Sequence, residues 1–215
     1  MDSTTASSRQ RRKEARPAEL AAAALALFVE KGFAATRLDD VAARAGVSKG
    51  TLYLYFDSKE ALFRAVIEES VLPLIEASEA RVEAQLGDPA RLLRELLVEW
   101  WECFGATPLG GTCKLMISEA GNFPEVAAYF NEAVIGRWGA LLRRVIEAGI
   151  ARGVFRSGNS EALRQMVFHP LLMQSVLQHS MVGGMPGRPL PEQYFEIYFD
   201  FILRGLGAAD TQEPR

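Results

Sequence analysis

Between residues 49 and 59 the chain gathers Lys49, Gly50, Thr51, Tyr53, Tyr55 and Lys59. Ammonium groups, phenols and a threonine hydroxyl reach phosphate oxygens and base edges, and a glycine among them lets a backbone approach closely. That chemistry suits grasping a polyanion rather than making or breaking bonds. The intervening residues say how these groups are held. If Leu52 points into a core, a turn of about 100° per residue puts Phe56 on nearly the same face. Gly50 and Leu54 then point away, with Thr51 and Tyr53 on the flanks. The Thr51 methyl can meet a thymine methyl, and Lys49 sits in the first turn behind a capping Ser48. Lys59 opens the following helix, whose first N–H groups favour an anion.

The elements that must position these residues lie in Thr36–Phe56, which reads as two short helices and a tight turn. Thr36 with Asp39 fits a capping box. Leu38, Val41, Ala42 and Ala45 line the inner face of the first helix, and Gly46 supplies the turn. A helix-turn-helix of this kind lays its second helix in a DNA major groove. Any one Tyr or Lys is more simply an ordinary surface residue of a helical protein. The falling of all of them on one face favours the groove.

This region resembles the TetR/AcrR family of bacterial transcriptional regulators. The resemblance rests on Phe28-Val29-Glu30-Lys31-Gly32-Phe33, Ala35-Thr36, Val41-Ala42, Ala45-Gly46-Val47-Ser48-Lys49-Gly50-Thr51-Leu52-Tyr53 and Tyr55-Phe56-Asp57-Ser58-Lys59-Glu60-Ala61-Leu62. It implies a dimer of all-α subunits, each with a three-helix DNA-binding head and a C-terminal ligand-binding domain. Carried over by position, Thr36, Tyr55 and Lys59 would touch phosphates, while Lys49, Gly50, Thr51 and Tyr53 would face the groove. Leu54 stands where many members have an aromatic residue. Arg37 is a weaker candidate for a contact, and Asp39 is equally a helix cap.

Around this head the chain of 215 residues carries no apolar run long enough to span a bilayer. Its start is polar and basic, unlike a secretory signal. Cys103 and Cys113 make no disulfide framework and fit a reducing, cytoplasmic setting. The net charge of −3 is unevenly spread: residues 1–60 hold ten Lys/Arg against eight Asp/Glu, and the remainder fourteen against nineteen. Arg9, Arg11, Arg12, Lys13 and Arg16 form a basic cluster that is either a phosphate-neutralising arm or a solvated tail.

The apolar spacing predicts an all-α chain of about nine helices with no strand-like alternation. Residues 1–16 read as a disordered arm, 17–62 as the helix-turn-helix domain, 63–207 as a ligand-binding and dimerisation domain, and 208–215 as a disordered tail. Pro17 starts the first helix. Pro73 should bend or break the fourth. Asp88-Pro89 and Phe123-Pro124 open two further helices, Ser160 another, and Gly183 to Pro189 reads as a loop.

In this second region Leu115-Met116-Ile117-Ser118-Glu119-Ala120-Gly121-Asn122-Phe123-Pro124-Glu125-Val126-Ala127 is similar to the C-terminal domain of AefR-like members. A small-molecule effector would be held in an apolar pocket, for which Trp100, Trp101, Phe104, Met116, Phe130, Trp138 and Met173 are candidates, with Phe168 beside them. Glu119 and His169 are the polar anchors. Each is also readable as plain core, a helix-end ion pair or a satisfied histidine. Trp100 and Trp101 diverge by about 100°, so one can face a cavity while the other packs elsewhere. Leu171, Leu172, Val176 and Leu177, then Phe195, Tyr198, Phe201 and Ile202, offer a surplus of apolar surface. In the family this pair of helices forms a four-helix dimer interface, which would set two recognition helices on successive major grooves.

An enzyme would need convergent titratable groups, a phosphate loop or a nucleophile elbow, and none is visible. Cys103, Cys113, His169 and His179 match no zinc spacing. The reading is therefore a non-enzymatic regulator without metal or cofactor, whose partners are double-stranded operator DNA, a second copy of itself and an effector, with no membrane.

Overall fold

The computed structural model describes residues 3–180 and 193–207, with side chains from Arg16 onward. It has eleven α-helical segments and, among the described residues, no strand. They are α1 (Ser3–Lys31), α2 (Leu38–Arg44), α3 (Lys49–Tyr53), α4 (Lys59–Ser70), α5 (Leu72–Gln85), α6 (Pro89–Trp100), α7 (Gly111–Glu119), α8 (Pro124–Phe130), α9 (Arg137–Ala151), α10 (Ser160–Gln178) and α11 (Tyr194–Leu206). A π turn at Asn131–Gly136 joins α8 and α9 into one rod, and α4 meets α5 at the single residue Val71. Another π turn, Trp101–Gly105, extends α6.

Local chemistry explains most boundaries. Ser48, Ser58, Asp88 and Asn159 each accept a hydrogen bond from the backbone N–H three residues on, capping α3, α4, α6 and α10. Gly46 takes a φ of +66° in the α2–α3 turn, a conformation that costs a glycine nothing. Pro73 falls in the first turn of α5, where its missing N–H is harmless, so the break between α4 and α5 comes at the expected place.

Two boundaries differ from the sequence reading. Helix α1 begins at Ser3 and runs through Pro17 rather than starting there, so the arm is helical in backbone. Arg9 to Arg16 are mostly good helix formers, and propensity outweighs the single lost N–H. Helix α2 is capped by Arg37 with no side-chain bond, so Thr36 and Asp39 form no capping box. The expected loop at Gly183 to Pro189 and the tail at 208–215 lie outside the described residues.

One core runs through head and body. Phe28, Phe33 and Phe63 form a ring cluster in the head, and Phe33 meets Phe123 edge-on at 4.7 Å while Phe63 reaches Phe130 at 6.3 Å. Buried Leu62, Phe63, Val66 and Ile67 all belong to α4, so that helix runs from the head into the body, as its apolar spacing predicted. Helix α5 is tied to α9 by Arg137–Glu79 at 2.7 Å and Arg144–Glu83 at 2.6 Å.

Candidate nucleic-acid interface and ligand cavity

Helix α3 is short, and its orientation is set by two anchors. Leu52 is fully buried and Phe56 nearly so, as the helical wheel required. The opposite side is open: Ser48, Lys49 and Gly50 are exposed, Tyr53 is 48% exposed and Leu54 82%. Leu54 thus points away from the core on the side opposite Leu52. Thr51 and Tyr55 are half-buried at its edges. The Thr51 hydroxyl lies 2.8 Å from that of Ser48. Arg37 is exposed at the start of α2. Lys49 donates to Asp39 at 2.7 Å, and that carboxylate raises the lysine pKa.

Two expected phosphate ligands are spent on the fold. Thr36 is 1% exposed, and its hydroxyl donates to the carbonyls of Gly32 at 2.7 Å and Leu27 at 3.2 Å. It ties the loop before α2 back to the last turn of α1 and to Gly32 just beyond it. Lys59 Nζ donates to Phe33 O at 2.8 Å and Ala34 O at 3.0 Å, and it lies over the rings of Phe33 and Phe123. The lysine thus clips the α1–α2 loop to α4.

Glu119 helps to hold the same loop. Its carboxylate accepts from Ala34 N and from Asn122 Nδ2, both at 3.2 Å. It stands between head and body, apart from the cavity under the α4–α5 joint, contrary to its expected place beside an effector. The segment Leu115–Ala127 is therefore the body's grip on the head.

A cavity opens beneath the α4–α5 joint. Its volume is about 50 Å³, and it is partly open to solvent. Val71, Leu74, Ile75 and Ser78 come from the joint and α5, Glu99 and Trp100 from α6, and Trp138 from α9. Both π turns contribute, the first through Cys103 and Phe104 and the second through Val134. The Trp100 ring packs edge-on against Phe168 at 4.8 Å. It also packs over Gly105, where an added Cβ would come within 2.7 Å of it.

Of the expected pocket residues, Trp100, Phe104 and Trp138 line this cavity. Trp101 turns away and packs on Phe195 of α11, as the divergence of adjacent helical residues allows. Met116 and Phe130 are buried in the core elsewhere. His169 is exposed on α10, and Met173 is 52% exposed, because both fall on the outer side of that helix. Sequence reasoning missed Glu99 and Cys103. Only their spacing from Trp100, one residue before it and three after, could have signalled them.

The outer sides of α10 and α11 carry exposed Met166, Met173, Leu177, Ile197 and Phe201. Leu171, Tyr198 and Ile202 are instead inside the subunit, where the Tyr198 hydroxyl donates to Val167 O. Leu172, Val176 and Phe195 are partly buried.

Comparison with known proteins places this architecture. Residues 20–66 match the model for bacterial regulatory proteins of the tetR family, and residues 84–186 match the tetracyclin repressor-like C-terminal domain. The HTH-type transcriptional repressor NicS of Pseudomonas putida is 32% identical over 141 residues, 62% of this chain and 63% of that protein. The HTH-type transcriptional regulator EthR of Mycolicibacterium smegmatis is 30% identical over 148 residues, 66% of this chain and 67% of EthR. The crystal structure of the TetR family regulator PfmR from Thermus thermophilus superposes with a TM-score of 0.65 at 28% identity, covering 87% of this chain and 98% of PfmR. These relatives are regulators of transcription rather than enzymes. The chain belongs to the TetR family of bacterial regulatory proteins.

Proposed function

We propose that the protein is a homodimeric transcriptional repressor that holds double-stranded operator DNA through α3 and leaves it when a small molecule occupies the cavity. The observation that carries the reading is the two-sidedness of α3. Leu52 and Phe56 are locked in the core, while Lys49, Gly50, Tyr53 and Leu54 stand exposed on one face among the described residues. Lys49 and Tyr53 supply charge and hydrogen bonds to the DNA, and Leu54 supplies an apolar surface for a thymine methyl. Repression follows the named activity of NicS, and the AefR-like character of Leu115–Ala127 is part of the same proposal.

Dimerisation is supported by the apolar outer sides of α10 and α11. Met166, Met173 and Leu177 recur at spacings that share one side of α10, and Ile197 and Phe201 do the same on α11. An isologous contact through them would bury these residues in both copies at once.

Release is supported by where the cavity lies. Its wall crosses the α4–α5 joint, and α4 carries the head through the Phe63 cluster and the Lys59 clip. The cavity is smaller than a drug-sized molecule requires, so a ligand enters by moving that wall. Helix α5 is tied to α9 by two ion pairs, and α4 to α8 by Arg64 stacked on Tyr129, so movement is absorbed at the joint between them. A ligand that favours the widened state shifts the equilibrium by its difference in affinity for the two states.

The test is fluorescence anisotropy with duplex DNA from the region flanking the gene. Lys49→Ala and Tyr53→Ala change exposed side chains and leave the core intact. Each should weaken specific binding by about ten-fold, the value of one good base or phosphate contact. Tight binding that ignores both substitutions would exclude α3 as the contact surface.

A further inference from the structure

Two buried side-chain polar atoms lack a hydrogen bond among the described residues, Trp138 Nε1 and Glu99 Oε2, and both residues line the cavity under the α4–α5 joint. Trp138 is only 5% exposed, yet its indole N–H has no acceptor. Glu99 is anchored from one side: Oε1 accepts from Arg81 Nη2 at 3.0 Å. Oε2 is ion-paired with Arg81 Nη1 at 2.7 Å, and a carboxylate oxygen so engaged still has a second lone pair to offer. Val71, Leu74, Ile75 and Trp100 make the rest of the wall apolar, and the Ser78 hydroxyl is already donated to Leu74 O. Unpartnered buried donors and acceptors are uncommon because each forfeits its hydration. Both residues line one cavity, so the unused donor and acceptor capacity beside it bears on what it can hold. Both π turns of the fold also border this space, and such turns recur at functional sites.

We propose that the cavity takes a neutral, largely apolar molecule whose polar end is a hydroxyl, accepting from Trp138 Nε1 and donating to Glu99 Oε2. The donor and acceptor inventory selects that group. A ketone or ether accepts but cannot donate, and an ammonium donates but cannot accept. An ionised carboxylate accepts only, and it would set a second negative charge beside Glu99. A hydroxyl performs both roles in one heavy atom. This inference deepens the effector-release reading and rests on it for its biological meaning.

The experiment is calorimetric titration of the full-length protein at neutral pH with 4-ethylphenol, ethylbenzene and 4-ethylbenzoate, three probes of one shape with different polar ends. The wild type should bind 4-ethylphenol and bind 4-ethylbenzoate about ten-fold more weakly or worse. Trp138→Phe should reduce the preference for 4-ethylphenol over ethylbenzene by about five- to ten-fold, with ethylbenzene correcting for the change in ring size. Glu99→Gln, which adds a donor and removes the charge, should improve 4-ethylbenzoate binding by about ten-fold and keeps the test alive if Trp138→Phe does not fold. The proposal is overturned if no probe binds, if 4-ethylbenzoate matches 4-ethylphenol on the wild type, or if a folded Trp138→Phe protein keeps the preference. Anisotropy of the DNA complex with the same probes separates the two claims. The selectivity without DNA release would leave the ligand chemistry standing and remove the effector role. Release by all three probes alike would do the reverse.

Discussion

Replacing Lys59 with methionine distinguishes two uses of its ammonium. In the structure the group bonds the carbonyls of Phe33 and Ala34 at 2.8 and 3.0 Å, and lies 5.0 and 5.6 Å from the ring centres of Phe33 and Phe123. A hydrogen bond from a charged donor contributes about 1.5–3 kcal/mol when buried, and a cation over a ring about 0.5–1 kcal/mol where water still reaches it. Lys59 is only half-buried, so the clip as a whole is worth about 2–3 kcal/mol after discounting for solvent. Methionine preserves the stem's packing and deletes the head. In a chain of this size about 1 kcal/mol moves the melting point by about 2–4 °C, so Lys59→Met should melt about 4–12 °C lower. A lysine seated on a DNA phosphate would behave differently. Its loss would reduce the slope of log affinity against log salt by about 0.9 and leave the free protein's melting point nearly unchanged. Calorimetric melting of the free protein and anisotropy titrations between about 50 and about 200 mM salt read both quantities. A slope change near 0.9 without a melting shift would refute the clip and restore the phosphate role.

Other consequences are as direct. Asp39→Asn releases Lys49 from its 2.7 Å pair and removes a negative charge from the exposed face, so DNA affinity should rise a few-fold at low salt and the gain should fade as salt increases; weaker binding would show that Asp39 orients the lysine productively. Burial holds the Cys113 thiol up at about 12, whereas Cys103 is exposed, so a disulfide reagent at pH 8 should titrate one thiol quickly and one only on unfolding. Two fast thiols would contradict the packing of α7. At Gly149 an added Cβ would fall 2.0 Å from the Phe155 ring, so Gly149→Ala should cost about 1–3 kcal/mol or more and lower the denaturation midpoint. An unchanged midpoint would mean that Phe155 has another place to go.

Much of the head was legible because its signals are local. Ser48 and Ser58 cap helices three residues ahead of their partners, and Gly46 turns the chain on its own backbone freedom. The contrast between Leu52 and Leu54 follows from helical rotation alone, whatever surrounds them. The segment Leu115–Ala127 was visible as a string of residues, but its contacts were not. Its Glu119 meets Ala34 across 85 residues of chain, and its Phe123 meets Phe33 across a comparable distance.

The sequence by itself determined the helical class, the two-sidedness of α3 and the break at Pro73, because caps, periodicity and proline chemistry act within a turn or two of the residue that carries them. Tertiary structure decided which polar groups remain available. Thr36 and Lys59 have the right chemistry for phosphate, but packing gives them backbone carbonyls first. Trp100 and Trp101 are alike in sequence, and only the positions of α5, α9 and α11 send one to a cavity and the other to Phe195. A side chain's type fixes what it can bond, and the elements brought beside it from distant parts of the chain fix what it does bond.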